Sequence, residues 1–115
     1  MVPKALAIGP QIQSTFKKAY SMGVKIAFGS DAGVFSHGKN AKEFGYMNEV
    51  GMPVMECLQS ATVTNASILG YADELGQINS GFIADIVATR LDPTKDVSTL
   101  EDIIFVMKNG VVYKN

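Results

Sequence analysis

Tryptophan is absent, cysteine and histidine occur once each, and neither sign of charge dominates. A single cysteine, Cys57, excludes an internal disulfide framework and fits a reducing compartment. The N-terminal stretch offers one lysine and a short apolar run broken by Gly9 and Pro10, too little for a secretory signal. A cytoplasmic location is therefore expected, unless a part upstream carries a signal. Ten Lys and Arg against 11 Asp and Glu give a formal net charge of -1. That balance lacks the basic excess of a protein that holds phosphate backbones, so nucleic acid is not expected as a partner. No apolar run approaches the roughly 18 residues of a membrane span, and no membrane partner is expected.

What is present is the composition of a globular chain, 47% apolar and 18% charged over 115 residues, enough for one modest core. Between Pro10 and Met22 the apolar residues Ile12, Phe16, Ala19 and Tyr20 fall at helical spacing, and Gly23 follows as a left-handed stop. Val24 to Phe28 alternates, with Val24, Ile26 and Phe28 on one face and Lys25 and Ala27 on the other, as a strand requires. Three helices are expected next. The first is capped by Asn40 with Glu43 behind it. The second starts with Pro53 at its first position and runs to about Val63. A short one over residues 65–69 has Thr64 as cap and Gly70 as stop. After Gly70 short β-prone runs take over, with turns at Asn79-Ser80-Gly81 and at Asn109-Gly110, the latter a strong hairpin signal. One helical turn is expected between Asp96 and Asp102. Helix, strand and helices in this order read as a βα repeat with a covered parallel strand.

The chemistry-bearing residues are few. Asp31 stands in GSDAG just past the strand; it is either a turn or cap carboxylate, or an acid at the C-terminal tip of a buried parallel strand, where α/β barrels place catalytic groups. A carboxylate can ligate a divalent metal and accept a proton from water. His37, in FSHGKN, is a surface or capping residue or a ligand contact. Cys57, on a helix face with no second histidine to activate it, reads as a small buried hydrophobe. Asn65-Ala66-Ser67 matches a glycosylation acceptor that carries little weight without a secretory signal. Asp85 reads as a turn or cap carboxylate.

GSDAG at 29–33, HGKNAKEF at 37–44, MPVMECLQSAT and GQINSGFIADIV together resemble the C-terminal portion of a metal-dependent amidohydrolase. SDAGVFSHGKNAKEF is most similar to the branch of Xaa-Pro dipeptidases, prolidases and related carboxypeptidases, with imidazolonepropionases as near relatives. The resemblance implies an α/β fold. Residues 1–70 would be the last βα portion of a (β/α)8 TIM barrel, and residues 71–115 strands of a small β-sandwich. It implies that Asp31 is catalytic, binding the metal and taking the proton of the attacking water, and that His37 contacts the substrate. Met52 stands where relatives often offer a Thr or Ser cap.

The implied cofactor is a divalent metal, zinc by the family's habit, and its further ligands are absent from this chain: one histidine cannot supply the three protein ligands of a catalytic zinc site. A whole barrel takes about 200 residues or more, so the chain is expected to be a fragment or one half of a split enzyme. Its expected partners are a small-molecule or dipeptide substrate, and the missing N-terminal barrel portion or a second copy of itself. The expected function is hydrolysis of amide bonds in Xaa-Pro dipeptides or acyl amino acids, with the isolated chain inactive. A non-catalytic α+β remnant or interaction domain, and a cyclic-amide hydrolase of imidazolonepropionase type, are the alternatives.

Overall fold

The computed structural model describes residues 13–29 and 41–115. Helix α1 occupies residues 13–21 and is followed by an extended segment over residues 24–29. Then come α2 (Lys42–Glu49), α3 (Val54–Ala61) and α4 (Val63–Ile68), strand β1 (Ile86–Thr89), a 3-10 helix (Val97–Glu101), and strands β2 (Ile103–Lys108) and β3 (Val111–Lys114).

Each helix stop is written in backbone chemistry. At the end of α2 the Gly51 N–H donates to the Asn48 carbonyl and the Met52 N–H to the Met47 carbonyl. This pair of bonds satisfies two of the carbonyls that a helix end leaves orphaned, and it needs a left-handed residue, here Gly51 at φ 106°. The same pair closes α1 around Gly23 and α4 around Gly70. The helix starts depart from expectation. Asn40, the expected cap of α2, lies outside the described residues. Ala41 occupies the N-cap position and makes no side-chain bond. Pro53 sits at the N-cap of α3 rather than inside it, and α4 starts at Val63, with Thr62 rather than Thr64 at its boundary. The physical reason at Thr62 is that its hydroxyl donates back to the Leu58 carbonyl, closing α3 instead of capping α4.

The core is small and sits between the extended segment and the helices. Met47, Met52 and Cys57 are buried, and Phe16, Tyr20, Ile26, Phe28 and Phe44 pack against them. Phe28 and Phe44 stack with ring centroids 4.3 Å apart. Ile26 and Phe28 thus face the helices, while Lys25, Ala27 and Gly29 are exposed, as the period-two alternation requires; Val24, expected on the packed face, is instead 52% exposed where the segment leaves the Gly23 turn. Although extended, residues 24–29 pair with no strand among the described residues.

The C-terminal part is a three-stranded antiparallel sheet in the order β1-β2-β3. Asn109 at φ 49° and Gly110 at φ 78° make the two-residue turn between β2 and β3, the left-handed pair that suits the twist of a hairpin. Of the β-prone residues between Gly70 and Arg90, only Ile86–Thr89 form a strand. The segment before them turns at Asn79, whose carbonyl accepts from the Phe82 N–H. Asp96 caps the 3-10 helix by accepting from the Ser98 N–H and hydroxyl. Those donors hold the Asp96 carboxyl below the usual range, the hydroxyl bond first, and Thr94 does the same for Asp92. A carboxylate held low in the folded chain favours folding above its unfolded pKa, and that contribution disappears as pH falls through the folded value. Protection of the Thr94 and Ser98 amides, relative to the intrinsic exchange rate at each pH, is accordingly expected to hold above about pH 4, the ordinary aspartate value, and to fall as pH drops below it through the folded value; protection that is indifferent to pH there would contradict these caps.

Candidate functional site

The segment 24–29 leads directly to Asp31, and its placement rests on four contacts. Gly23 turns the chain out of α1, and the Val24 N–H donates to the Ala19 carbonyl. Ile26 and Phe28 are drawn onto the helices by the core they complete. At the far end both backbone groups of Phe28 are engaged: its N–H donates to the Ser60 carbonyl at 3.0 Å and its carbonyl accepts from Asn65 Nδ2 at 3.0 Å. Ser60, only 1% exposed, in turn donates its hydroxyl to the Cys57 carbonyl. The end of the segment is therefore clamped to α3 and α4. Asp31 and His37 themselves lie outside the described residues.

Ser60 was not marked by sequence reasoning, and Asn65 was marked for a different role. Asn65 reads in sequence as part of a glycosylation acceptor, yet its amide is spent on the Phe28 carbonyl, 37 residues away. No spacing rule connects two positions that far apart.

Beside the start of the segment lies a groove of about 510 Å³, bordered by Tyr20, Lys25, Met52, Glu56, Gln59 and Thr64. Across it the Tyr20 hydroxyl donates to the Glu56 carboxylate. That bond, followed by burial and the carboxylate's charge, pushes the phenol above its ordinary pKa. This polar pair stands beside the start of the segment, at the opposite end from Phe28 and Gly29. Cys57 is fully buried, its thiol donating to the Met52 carbonyl. Burial first and the Glu56 charge second raise its pKa, so it stays a neutral thiol at pH 7 and acts as the packing residue expected of it. Alkylation of the folded chain with iodoacetamide is expected to leave Cys57 unmodified until denaturant is added, and rapid labelling in buffer would contradict this.

Among the described residues no group of three or more His, Cys, Asp and Glu is placed to hold a metal. They therefore do not fit a complete metal site by themselves. Nor is any described helix long and apolar enough to cross a membrane.

The residues of GQINSGFIADIV have structural employment. An added Cβ at Gly76 would lie 2.8 Å from the Thr62 carbonyl oxygen and 3.0 Å from Ala66 Cβ. Asp85 Oδ1 accepts from the Asn109 N–H at 2.8 Å, and the Ala84 carbonyl accepts from the Gly110 N–H at 2.9 Å. Both amides of the hairpin turn are thus held by the residues entering β1. Asp85 acts on a turn, as its sequence context suggested, but on a turn 24 residues downstream. Asp85→Ala is expected to cost about 1 kcal/mol, the usual worth of one exposed hydrogen bond. Urea unfolding checks this, and an unchanged midpoint would contradict it.

The amidohydrolase family model matches residues 1–114. The chain belongs to the amidohydrolase family. Members of this family are hydrolases that act on amide bonds, in general with a bound metal. No curated protein matches the sequence. Among solved structures, this amidohydrolase chain is similar to an Xaa-Pro dipeptidase with methionine bound in its active site: 53% identity, TM-score 0.93, 98% of this chain and 28% of that one. A second amidohydrolase structure is 31% identical, with a TM-score of 0.80 over 90% of this chain and 26% of that one. A prolidase complexed with N-methylphosphonate-L-proline is 29% identical, with a TM-score of 0.77 over 90% of this chain and 26% of that one. The chain spans only about a quarter of the length of these relatives.

Proposed function

We propose that this chain is the C-terminal part of a metal-dependent amidohydrolase that hydrolyses Xaa-Pro dipeptides or acyl amino acids, and that it is inactive without the rest of the barrel. The observation that carries the reading is the 53% identity to an Xaa-Pro dipeptidase, sustained over 98% of the chain at a TM-score of 0.93. In this reading residues 1–70 supply the last strand and helices of the TIM barrel, and residues 71–115 supply strands of the small β-sandwich. The helix-covered segment 24–29 and the antiparallel sheet 86–114 support that division.

Asp31 is the catalytic carboxylate of this reading, a ligand to the metal and the acceptor of the proton from the attacking water; His37 contacts the substrate. A divalent ion, zinc as the leading candidate, polarises the scissile carbonyl when bound. The described residues do not form its site, so its other ligands belong to the preceding strands. What this chain's described residues do is hold the strand end: Ser60 and Asn65 fix Phe28, three residues before Asp31.

The test is a substrate panel on the chain joined to the preceding barrel. Xaa-Pro dipeptides and N-acyl amino acids are expected to be turned over, whereas turnover confined to cyclic amides would replace this reading with an imidazolonepropionase-like one.

A further inference from the structure

The turn of the β2–β3 hairpin, Asn109-Gly110, carries chemistry of its own. An asparagine side-chain amide can be attacked by the backbone nitrogen of the next residue. With glycine next, no Cβ shields that nitrogen, and Asn-Gly pairs in unfolded chains react readily. The attack needs one rotation, because the Gly110 nitrogen must swing toward the Asn109 side chain about the Asn109 Cα–C bond. Here both ends of that torsion are tied: the Asn109 N–H donates to Asp85 Oδ1 at 2.8 Å, and the Gly110 N–H donates to the Ala84 carbonyl at 2.9 Å. The second bond also occupies the attacking nitrogen itself. Asn109 and Gly110 are exposed, so water reaches the turn, and hydrogen bonds rather than burial stand between it and reaction.

We propose that Asn109 is a deamidation site gated by Asp85 and Ala84, reacting only when these two residues release the turn. On release the Gly110 nitrogen bonds to Asn109 Cγ, the Cγ–Nδ2 bond breaks, and Nδ2 leaves as ammonia with the proton from Gly110. Water then opens the cyclic imide at either carbonyl and leaves aspartate or isoaspartate at position 109. The isoaspartate route adds a methylene to the backbone of a two-residue turn whose flanking strands pair Lys108 with Val111. That turn sets the hairpin register, so the product cannot keep it. Both routes add a negative charge to a turn already held by the Asp85 carboxylate, and like charges repel. The step is one-way, so conversion accumulates with the time the turn spends open. None of this depends on the hydrolytic reading above.

Peptide mapping by mass spectrometry tests this, on the full chain incubated at mildly alkaline pH with and without denaturing urea. One net hydrogen bond is worth a factor of roughly five in an opening equilibrium, so two should make conversion at Asn109 about 30-fold slower in the folded chain than in urea. Asp85→Ala removes one acceptor and should speed conversion in the folded chain by roughly five-fold, with no change in urea. Asn79-Ser80 is the internal reference: it is exposed, its Ser80 N–H donates to the Asn79 side chain, and its rate should not respond to Asp85→Ala. In the parent chain, NMR amide exchange at Asn109 and Gly110 should be slowed by the same factor as deamidation, since one local opening controls both. Equal deamidation of Asn109 in the folded and unfolded chain overturns the proposal, and so does a folded Asp85→Ala variant no faster than the parent. Acceleration of Asn79 alongside Asn109 would mark a variant that has unfolded. The parent chain then decides, and a mismatch between its exchange and deamidation factors overturns the proposal.

Discussion

Asp31→Asn, made in the chain joined to the rest of its barrel, is expected to lower turnover of an Xaa-Pro dipeptide by roughly 100-fold or more, the lower range for a general acid–base group. The substitution keeps the shape of the side chain and removes its charge, and with it both the ability to take a proton and most of the affinity for a divalent metal. In sequence Asp31 continues the alternation of Lys25, Ala27 and Gly29, the exposed face of the segment, and not that of Ile26 and Phe28, which the core occupies. Asp85→Asn serves as the comparison: its partner is the Asn109 amide of the hairpin turn, so it should touch stability and leave turnover close to normal. Near-normal turnover in Asp31→Asn, or a selective loss of turnover in a stably folded Asp85→Asn, would reverse the two assignments.

The largest effect on stability is expected at Gly76. Its φ of 94° disfavours any side chain, and an added methyl would meet the Thr62 carbonyl oxygen at 2.8 Å and Ala66 Cβ at 3.0 Å. A left-handed backbone costs about 1–2 kcal/mol for a residue with a Cβ, and overpacking typically adds about 1–3 kcal/mol. Gly76→Ala is therefore expected to lose about 2–5 kcal/mol, a large share of the roughly 5–15 kcal/mol that holds an ordinary domain together. The carbonyl cannot yield cheaply, because it accepts the Ala66 N–H at 2.9 Å in the first turn of α4. A shift of the unfolding midpoint measured by circular dichroism checks this; a variant as stable as the parent would show that the loop can move away from α4.

Features governed by local periodicity were legible in the sequence. Alternation placed Ile26 and Phe28 on the helices, and Asn109-Gly110 marked the hairpin because two left-handed residues are costly for most other pairs. The helix stops at Gly23, Gly51 and Gly70 were legible for a similar reason. The helix starts were not, because Thr62 spends its hydroxyl on Leu58 and Ala41 has no side-chain acceptor to offer. Still less legible were the contacts made between distant positions: Asn65 on Phe28, Asp85 on Asn109, and Gly76 on Thr62. Each depends on how the elements meet, and that is decided by the core as a whole. For Asp31 and His37 the assignment comes from the family resemblance, and the structure contributes the clamped segment that leads to them.

The central claim is that this chain carries one part of an amidohydrolase site and needs the rest of the barrel to work. It is tested most directly by purifying the chain alone and together with the preceding barrel portion, then measuring bound metal by mass spectrometry and hydrolysis of an Xaa-Pro dipeptide on the same samples. A catalytic zinc site takes three protein ligands, and the described residues bring no three His, Cys, Asp or Glu together to hold a metal, so the chain alone should hold no stoichiometric metal and cleave nothing. The combined sample should gain both properties. A chain that by itself binds one metal tightly and hydrolyses the dipeptide would contradict the account.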